Sequence, residues 1–135
     1  MILVPARFEH FAEVMLARQA AQKNDGLLDM PKGPSWAALS NRKAVACGGL
    51  YPVNLYRSHA WMVFSELSRA EFLFVHRAVT RYLENATGRV EFAVRKDFAQ
   101  GHRWAKMLGF EVEAPLMRRY CADGADAVLY AKVFS

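Results

Sequence analysis

The chain has 135 residues, 53% of them hydrophobic and 23% charged, with a formal net charge of +5 at pH 7. This size suits one domain with one core, so we predict a single domain over residues 1–135, and the hydrophobic content excludes a disordered chain. No apolar stretch approaches the roughly 18–20 residues of a membrane helix, and the apolar start at residues 1–5 is too short for a signal peptide. We therefore expect a cytoplasmic protein without a membrane partner.

The two cysteines, Cys47 and Cys121, do not form a CxxC pair, and no histidine lies at metal-ligand spacing from them. We interpret both as buried, reduced thiols and predict no metal site. The positive charge suits an acidic partner, such as nucleic acid or a nucleotide-containing cofactor. The basic residues are scattered without interleaved aromatic residues, and no helix-turn-helix or zinc pattern is present, so we do not expect a nucleic-acid partner.

The N-terminal half is predicted to hold a strand, a helix and three further strands. Residues 2–4 form a short apolar strand, and apolar residues at helical spacing predict a helix over residues 7–23. Residues 24–35 are rich in turn formers and predict a surface loop. Three strands follow, at residues 36–39, 43–53 and 59–64. The pair Gly48-Gly49 inside the second of them indicates a bulge or a close approach of other backbone.

The second helix carries the clearest local signal. Ser68 and Glu71 have the spacing of a capping box, in which the serine hydroxyl accepts from the amide three residues on and the glutamate carboxylate reaches back. Apolar residues then recur at helical spacing, and we expect the helix to end near Thr87 with Gly88 as its left-handed stop.

The C-terminal third is predicted to contain a strand, a short helix and two strands. Residues 90–94 alternate apolar and other side chains, which predicts a strand. Asp97 with Gln100 predicts the N-cap of the next helix, which Gly109 ends. Two strands at residues 111–121 and 127–134 follow, joined by a turn at Asp123-Gly124. The full order is β-α-β-β-β-α-β-α-β-β, which predicts an α/β fold whose mixed sheet has parallel strands at its centre.

This order resembles that of the GNAT (Gcn5-related N-acetyltransferase) superfamily, in which a Leu-Gly-Phe helix ending such as Leu108-Gly109-Phe110 is common. Tyr120 and the final strand with Tyr130 continue the resemblance, which covers essentially the whole chain. It implies a sheet of about seven strands and transfer of an acetyl group from acetyl-CoA to the amine of an acceptor. Within the superfamily, the run from residues 44–49 through residues 59–61 to the Leu108-Gly109 turn most resembles short GNAT-like phage and prophage proteins, such as podophage internal virion proteins. That narrower resemblance implies a phage or host protein as a partner, and association with a virion.

The resemblance also implies where the cofactor binds. In active GNAT proteins the two central parallel strands separate, and the pantetheine of acetyl-CoA hydrogen-bonds into the gap. By this resemblance the pantetheine lies beside Met62, Val63 and Phe64. The pyrophosphate lies at the start of the next helix, at Ser68, Arg69 and Ala70, where free amides and the helix dipole favour an anion.

The chain departs from the GNAT pattern at several functional positions. The usual glycine-rich phosphate loop corresponds to residues 64–70, which contain no glycine, and Glu71 places a carboxylate where an anion would dock. The usual catalytic tyrosine corresponds to Ala105, and the asparagine that often opens this helix corresponds to Phe98. Two hypotheses therefore stay open: an acetyl-CoA-dependent N-acetyltransferase, and a catalytically silent GNAT-like phage or prophage protein with a virion-structural or host-interaction role.

Acyl transfer to an amine needs a base for the ammonium and an acid for the leaving thiolate. Glu66, just after the central strand, is the candidate base, although an exposed carboxylate before the helix is the alternative. Tyr120 is the candidate acid, although a half-buried strand tyrosine is the alternative. We interpret His76 as a core histidine of the second helix, and His102 as a surface histidine.

Overall fold

The computed structural model describes residues 1–18 and 29–135. They form a seven-stranded mixed sheet with three helices, which confirms the predicted α/β fold and element order. The elements are β1 (Ile2–Pro5), α1 (Phe8–Ala17), β2 (Ser35–Ser40), β3 (Lys43–Asn54), β4 (Arg57–Phe64), α2 (Arg69–Glu84), β5 (Gly88–Arg95), α3 (Ala99–Met107), β6 (Glu111–Met117) and β7 (Ala127–Phe134). Residues 19–28, which include the predicted end of the first helix at residue 23 and the start of the predicted loop at residues 24–35, lie outside the described part of the chain.

The strands lie in the order β1-β2-β3-β4-β5-β7-β6. Among the described strand pairs only β4 and β5 are parallel, because α2 carries the chain back between them, and all others are antiparallel. The parallel pair therefore lies at the centre of the sheet, as the sequence predicts.

The helices lie on opposite faces of the sheet. On one face, Phe11 and Val14 of α1 pack against Trp61 and Val63 of β4. The other face is covered by α2 and α3. No helix among the described residues is long and apolar enough to cross a membrane.

The glycine pair in β3 permits a close approach rather than a bulge. A Cβ at Gly48 would lie 2.8 Å from the ring of Trp36 and 2.9 Å from the carbonyl oxygen of Trp61. The irregularity between β2 and β3 falls instead at Ala38 and Leu39. Any side chain at position 48 would therefore displace the tryptophan that lies across it.

The first two helices end earlier than the sequence predicts. α1 ends at Ala17, and Arg18 is extended and forms an isolated bridge with Ser65. α2 ends at Glu84 because the last turn tightens, with the Ala86 amide donating 3.0 Å to a carbonyl three residues back. Gly88 therefore does not stop the helix: at φ 73° it begins β5.

The start of α3 and the end of β6 also differ from prediction. The N-cap of α3 is Phe98, without a side-chain hydrogen bond, because the Asp97 carboxylate pairs with Arg95 at 2.8 Å instead. β6 ends at Met117 because the chain turns at Arg119, whose φ is 53°. Residues 118–121 therefore lie in the connection to β7 rather than in a strand.

Candidate functional site

The sheet opens between its two central strands. β4 and β5 pair only over Arg57 to His59, with His59 opposite Glu91 in the last pair. Both strands continue beyond this point, to Phe64 and Arg95, without pairing with each other. The separation that the GNAT resemblance implies beside residues 61–64 is therefore present.

Ion pairs hold the closed end of this opening. Glu91 contacts Arg57 of β4 at 3.3 Å and Arg89 of β5 at 2.8 Å. The guanidinium of Arg89 also binds both carboxylate oxygens of Glu113 on β6, at 2.7 and 2.8 Å. These contacts link three strands at the end where β4 and β5 remain paired.

Backbone groups of both strands point into the opening. The Ser65 amide donates to the carbonyl oxygen of Val45 in β3 at 3.0 Å. Along a strand, the N–H and C=O groups of successive residues point to opposite edges. Those of Met62, three residues before Ser65, therefore point away from β3. The Arg89 amide donates toward the β4 side, so the peptide groups of Ala93 also face the opening. An extended ligand with amide groups could pair with these strands as an added strand would.

A cleft of about 520 Å³ occupies the opening and reaches both faces of the sheet. The face covered by α2 and α3 contributes Met62, Phe64, Val79, Tyr82, Leu83 and Leu108. The face on which α1 lies contributes Tyr51, His59, Trp61 and Arg95. The cleft lining is thus apolar on the side of α2 and α3, apart from Tyr82. Its histidine and its arginine, His59 and Arg95, lie on the side of α1.

A second pocket of about 360 Å³ lies where α2 begins, and we call it the α2 pocket. Its polar and charged lining residues are Ser68, Arg69, Gln100 and Arg103. Phe64 and Trp104 line both this pocket and the cleft, and their ring centroids are 5.9 Å apart. The two spaces therefore adjoin across an aromatic partition.

The predicted capping box closes part of the helix N-terminus. The Ser68 hydroxyl accepts from the Glu71 amide at 3.2 Å, and the Glu71 carboxylate accepts from the Ser68 amide at 2.9 Å, which lowers the pKa of the Glu71 carboxyl. Within the described residues, the amides of Arg69 and Ala70 have no acceptor. Two amides thus remain for an anion, beside a carboxylate that opposes it.

His59 is a site residue that the sequence analysis missed. It is half-buried, lines the cleft and stands at the point where β4 and β5 separate. Burial lowers its pKa, an effect that Arg57 reinforces and Glu91 opposes. The imidazole is therefore neutral near pH 7 and able to accept a proton. Its position at the start of a predicted central strand is the one signal that the sequence offers.

Two other lining residues carry buried polar atoms that have no hydrogen-bond partner among residues 1–18 and 29–135. These are the hydroxyl of Tyr82 and the indole N–H of Trp61, which is 8% exposed. Burial raises the pKa of Tyr82, so its hydroxyl stays protonated. Periodicity identifies both residues only as apolar core positions.

The predicted catalytic residues lie in different places. Glu66 is exposed between β4 and α2 and lines neither the cleft nor the α2 pocket. Tyr120 lines the cleft, but its side chain is 54% exposed and lies outside β6, so its interpretation as a half-buried strand residue is wrong.

The predicted cofactor residues are divided between the two spaces. Met62 and Phe64 line the cleft, whereas the side chain of Val63 is buried toward α1. Ser68 and Arg69 line the α2 pocket, whereas Ala70, the next residue of α2, does not.

His76 and His102 both form hydrogen bonds within the fold, and the two cysteines differ in burial. His76 accepts from the Trp104 indole at 3.0 Å, so its ring has the expected partner, but it is partly buried rather than a core residue. His102 is not a free surface residue, since it accepts from the Tyr130 hydroxyl at 2.7 Å and donates to a carbonyl at 2.9 Å. The two cysteines do not form a disulfide with each other; Cys47 is buried, which raises its pKa to about 12, whereas Cys121 is only partly buried.

The part of the chain that the structure describes holds no group of three or more His, Cys, Asp and Glu side chains that could bind a metal ion.

No protein-family profile matches the chain, and no curated protein matches its sequence. Solved structures do match its fold. The ribosomal-protein-alanine N-acetyltransferase from Brucella melitensis superposes with a TM-score of 0.71 at 9% identity, over 99% of this chain and 100% of that chain. A GNAT family acetyltransferase from Elizabethkingia anophelis, solved with acetyl-CoA bound, gives 0.69 at 11% identity, over 98% and 97% of the two chains.

The aminoglycoside 6'-N-acetyltransferase from Enterococcus faecium gives a TM-score of 0.68 at 11% identity, over 98% of this chain and 96% of that chain. These matches do not support the resemblance to phage and virion proteins. At such identities the likeness concerns the fold and not the substrate. The described part of the chain therefore has a mixed α/β fold, with a seven-stranded sheet and three helices, that matches the fold of GNAT acetyltransferases.

Proposed function

We propose that this protein is a GNAT-type N-acyltransferase that moves an acyl group from coenzyme A to the amine of an acceptor. The observation that carries the proposal is the opening between β4 and β5, into which the peptide groups of Met62 point and which adjoins the α2 pocket. An acetyl-CoA-bound neighbour of the same fold supports acetyl-CoA as the donor class.

In this proposal the cofactor spans both spaces. Its pantetheine pairs with β4 beside residues 62–64, and its pyrophosphate meets the amides of Arg69 and Ala70 with the side chain of Arg103 nearby. The helix dipole and the two arginines attract the phosphates, whereas the Glu71 carboxylate repels them. Since residues 64–70 lack glycine, the backbone cannot wrap the phosphates closely, and we expect modest affinity.

The reaction requires a balanced movement of protons. The acceptor nitrogen forms the new C–N bond while the thioester C–S bond breaks. An ammonium group loses two protons on becoming an amide, of which one reaches solvent through the base and one ends on the sulfur. We assign the base to His59, which lines the cleft and is neutral at pH 7. Glu66 remains the alternative base, reachable only by an acceptor outside the cleft.

The proton for the sulfur needs a donor on the cofactor side. Ala105 stands where GNAT proteins often have tyrosine, and both it and Tyr82 line the cleft. We assign this role to Tyr82, whose protonated hydroxyl has no hydrogen-bond partner in the described part of the chain. Tyr120 remains the alternative, from the exposed side of the cleft. The acceptor is a small molecule or a protein, the two classes on which the named neighbours act.

A silent scaffold is the second candidate, and the Glu71 contact with the Ser68 amide favours it. In that case the carboxylate keeps the helix N-terminus occupied, and the protein serves binding to a phage or host protein rather than catalysis.

Calorimetric titration with acetyl-CoA distinguishes the two candidates. If the dissociation constant is near 10 μM, free acetyl-CoA at about one hundred times that concentration should raise the free energy of unfolding by about 2.7 kcal/mol. The absence of heat and of any thermal shift at millimolar acetyl-CoA would reject the enzyme in favour of the scaffold. Arg69→Glu should abolish binding without unfolding the chain, whereas Arg77→Glu, on the exposed face of α2, is the matched control.

A further inference from the structure

Charged side chains of β4 and β5 surround the imidazole at the closed end of the cleft. In the register of this parallel pair, Arg57 lies opposite Arg89, and His59 lies opposite Glu91. Alternate residues of a strand share one face of a sheet, so these side chains lie on the face where Trp61 packs against α1. Two guanidinium groups therefore face each other across the strands, next to one carboxylate and one imidazole.

Glu91 joins the two arginines. Its carboxylate contacts Arg57 at 3.3 Å and Arg89 at 2.8 Å, and its side chain is only 15% exposed. Glu113 of β6 binds two further nitrogens of Arg89, at 2.7 and 2.8 Å. Like charges opposite each other in a sheet are destabilising, and here two carboxylates balance two guanidinium groups. A proton taken up by His59 would add one positive charge to this balanced cluster.

The groups that face His59 come from three strands. They are Glu91 of β5, Arg57 of its own strand and Tyr51, its partner on β3. The Glu13 carboxylate of α1 is instead bound to a backbone amide of β3, at 2.7 Å. The charges that act on the imidazole are thus a carboxylate that favours its protonated form and a guanidinium that opposes it.

The transfer step requires His59 to change its charge. The imidazole is neutral before the reaction, takes one proton from the ammonium nitrogen of the acceptor, and later releases that proton to solvent. We propose, resting on the acyltransferase function proposed above, that Glu91 is a positioning residue whose carboxylate stabilises this imidazolium through space while Arg57 and Arg89 hold it in place. The two arginines also weaken the attraction, which leaves the imidazole neutral until the amine arrives.

Titration of the His59 ring by NMR, with its signal assigned from His59→Gln, tests the electrostatic part of the proposal. Glu91→Gln keeps the side-chain shape and removes the charge, so the pKa of His59 should fall by about one pH unit. Arg57→Gln, at a side chain that is 43% exposed, should raise it. Arg77→Gln, on the exposed face of α2, is the control and should leave it unchanged.

The direction of the change distinguishes a specific charge effect from a loosened fold. Loosening moves the pKa of His59 up toward the unfolded value of 6.5, whereas loss of the Glu91 charge moves it down. If Glu91→Gln does not fold by circular dichroism, Glu113→Gln leaves Arg89 to pair with Glu91 alone and should also lower the pKa. An unchanged or raised pKa in the folded variant would overturn the proposal.

Kinetics test the link to acyl transfer. The acidic limb of kcat against pH should move to lower pH in Glu91→Gln and to higher pH in Arg57→Gln, with the KM for acetyl-CoA unchanged. At pH 7 the first variant should lose up to about tenfold in kcat, because a weaker base takes the proton less readily. An unmoved limb in a protein that still transfers the acyl group would overturn the positioning role alone. If the unmodified protein neither binds acetyl-CoA nor transfers its acyl group, the proposed function itself fails, and the positioning role fails with it.

Discussion

His59 and Glu91 face each other in the last parallel pair before β4 and β5 separate. The glutamate is itself held by Arg57 and Arg89, so its charge is largely neutralised, and burial remains the main influence on the imidazole. The imidazole is consequently neutral near pH 7 at the closed end of the cleft, and in the proposed reaction it would act as the base.

Replacing this base should slow acyl transfer. We expect His59→Gln to lower kcat by about 10²–10⁴-fold with little change in acetyl-CoA affinity, because general bases contribute rate rather than cofactor binding. Steady-state kinetics with an active acceptor measures the effect. Glu66→Gln is the control and should remain within about twofold of the unmodified protein. If Glu66→Gln instead slows the reaction and His59→Gln does not, the base is Glu66 and the acceptor reacts outside the cleft.

The same histidine should make stability depend on pH. Its pKa in the folded protein is below the unfolded value of 6.5, so the folded state binds fewer protons in the window between these two values. The free energy of unfolding should therefore be largest above about pH 6.5, fall as the pH decreases from there to the folded pKa, and level off below it. Urea unfolding from pH 7.5 to 4.5 measures this, and His59→Gln should flatten that part of the curve. An unchanged pH profile in the variant would show that other groups cause the slope.

Tyr82 should affect activity and stability in opposite directions. Tyr82→Phe removes a proton donor and should lower kcat at least tenfold. The hydroxyl it removes is buried without a partner, so we also expect thermal stability to stay equal or to rise by about 1 kcal/mol. Tyr120→Phe, at an exposed position, is the comparison variant. A loss of activity in the Tyr120 variant alone would assign the acid to that residue.

The capping box should stabilise α2 and weaken the binding of an anion at the N-terminus of this helix. Ser68→Ala should destabilise the protein by about 1 kcal/mol because the Glu71 amide loses its acceptor. Glu71→Gln keeps the side-chain shape but removes the opposing charge, so acetyl-CoA should bind several times more tightly. Thermal melts and calorimetry measure the two effects separately. If Glu71→Gln leaves the affinity unchanged, the pyrophosphate does not lie at this helix end.

Local sequence patterns determined the order of the elements and several of their boundaries. Strand alternation and helical periodicity depend on neighbouring residues, and the Ser68–Glu71 capping box is a contact over three positions, so a linear sequence is enough to predict them. The resemblance in element order also predicted the opening between the two central strands. Asp97 shows the limit of such patterns, because its carboxylate pairs with Arg95 and therefore does not cap α3.

The tertiary structure alone decided which side chains share the cleft. His59 belongs to it because β4 presents alternate residues to opposite faces, and Tyr82 belongs to it because α2 returns across the opened strands. Glu66 is excluded although it follows the same strand by two residues. These placements depend on contacts between segments far apart in the chain, and no local pattern of apolar and polar residues encodes which face of a sheet a ligand will reach.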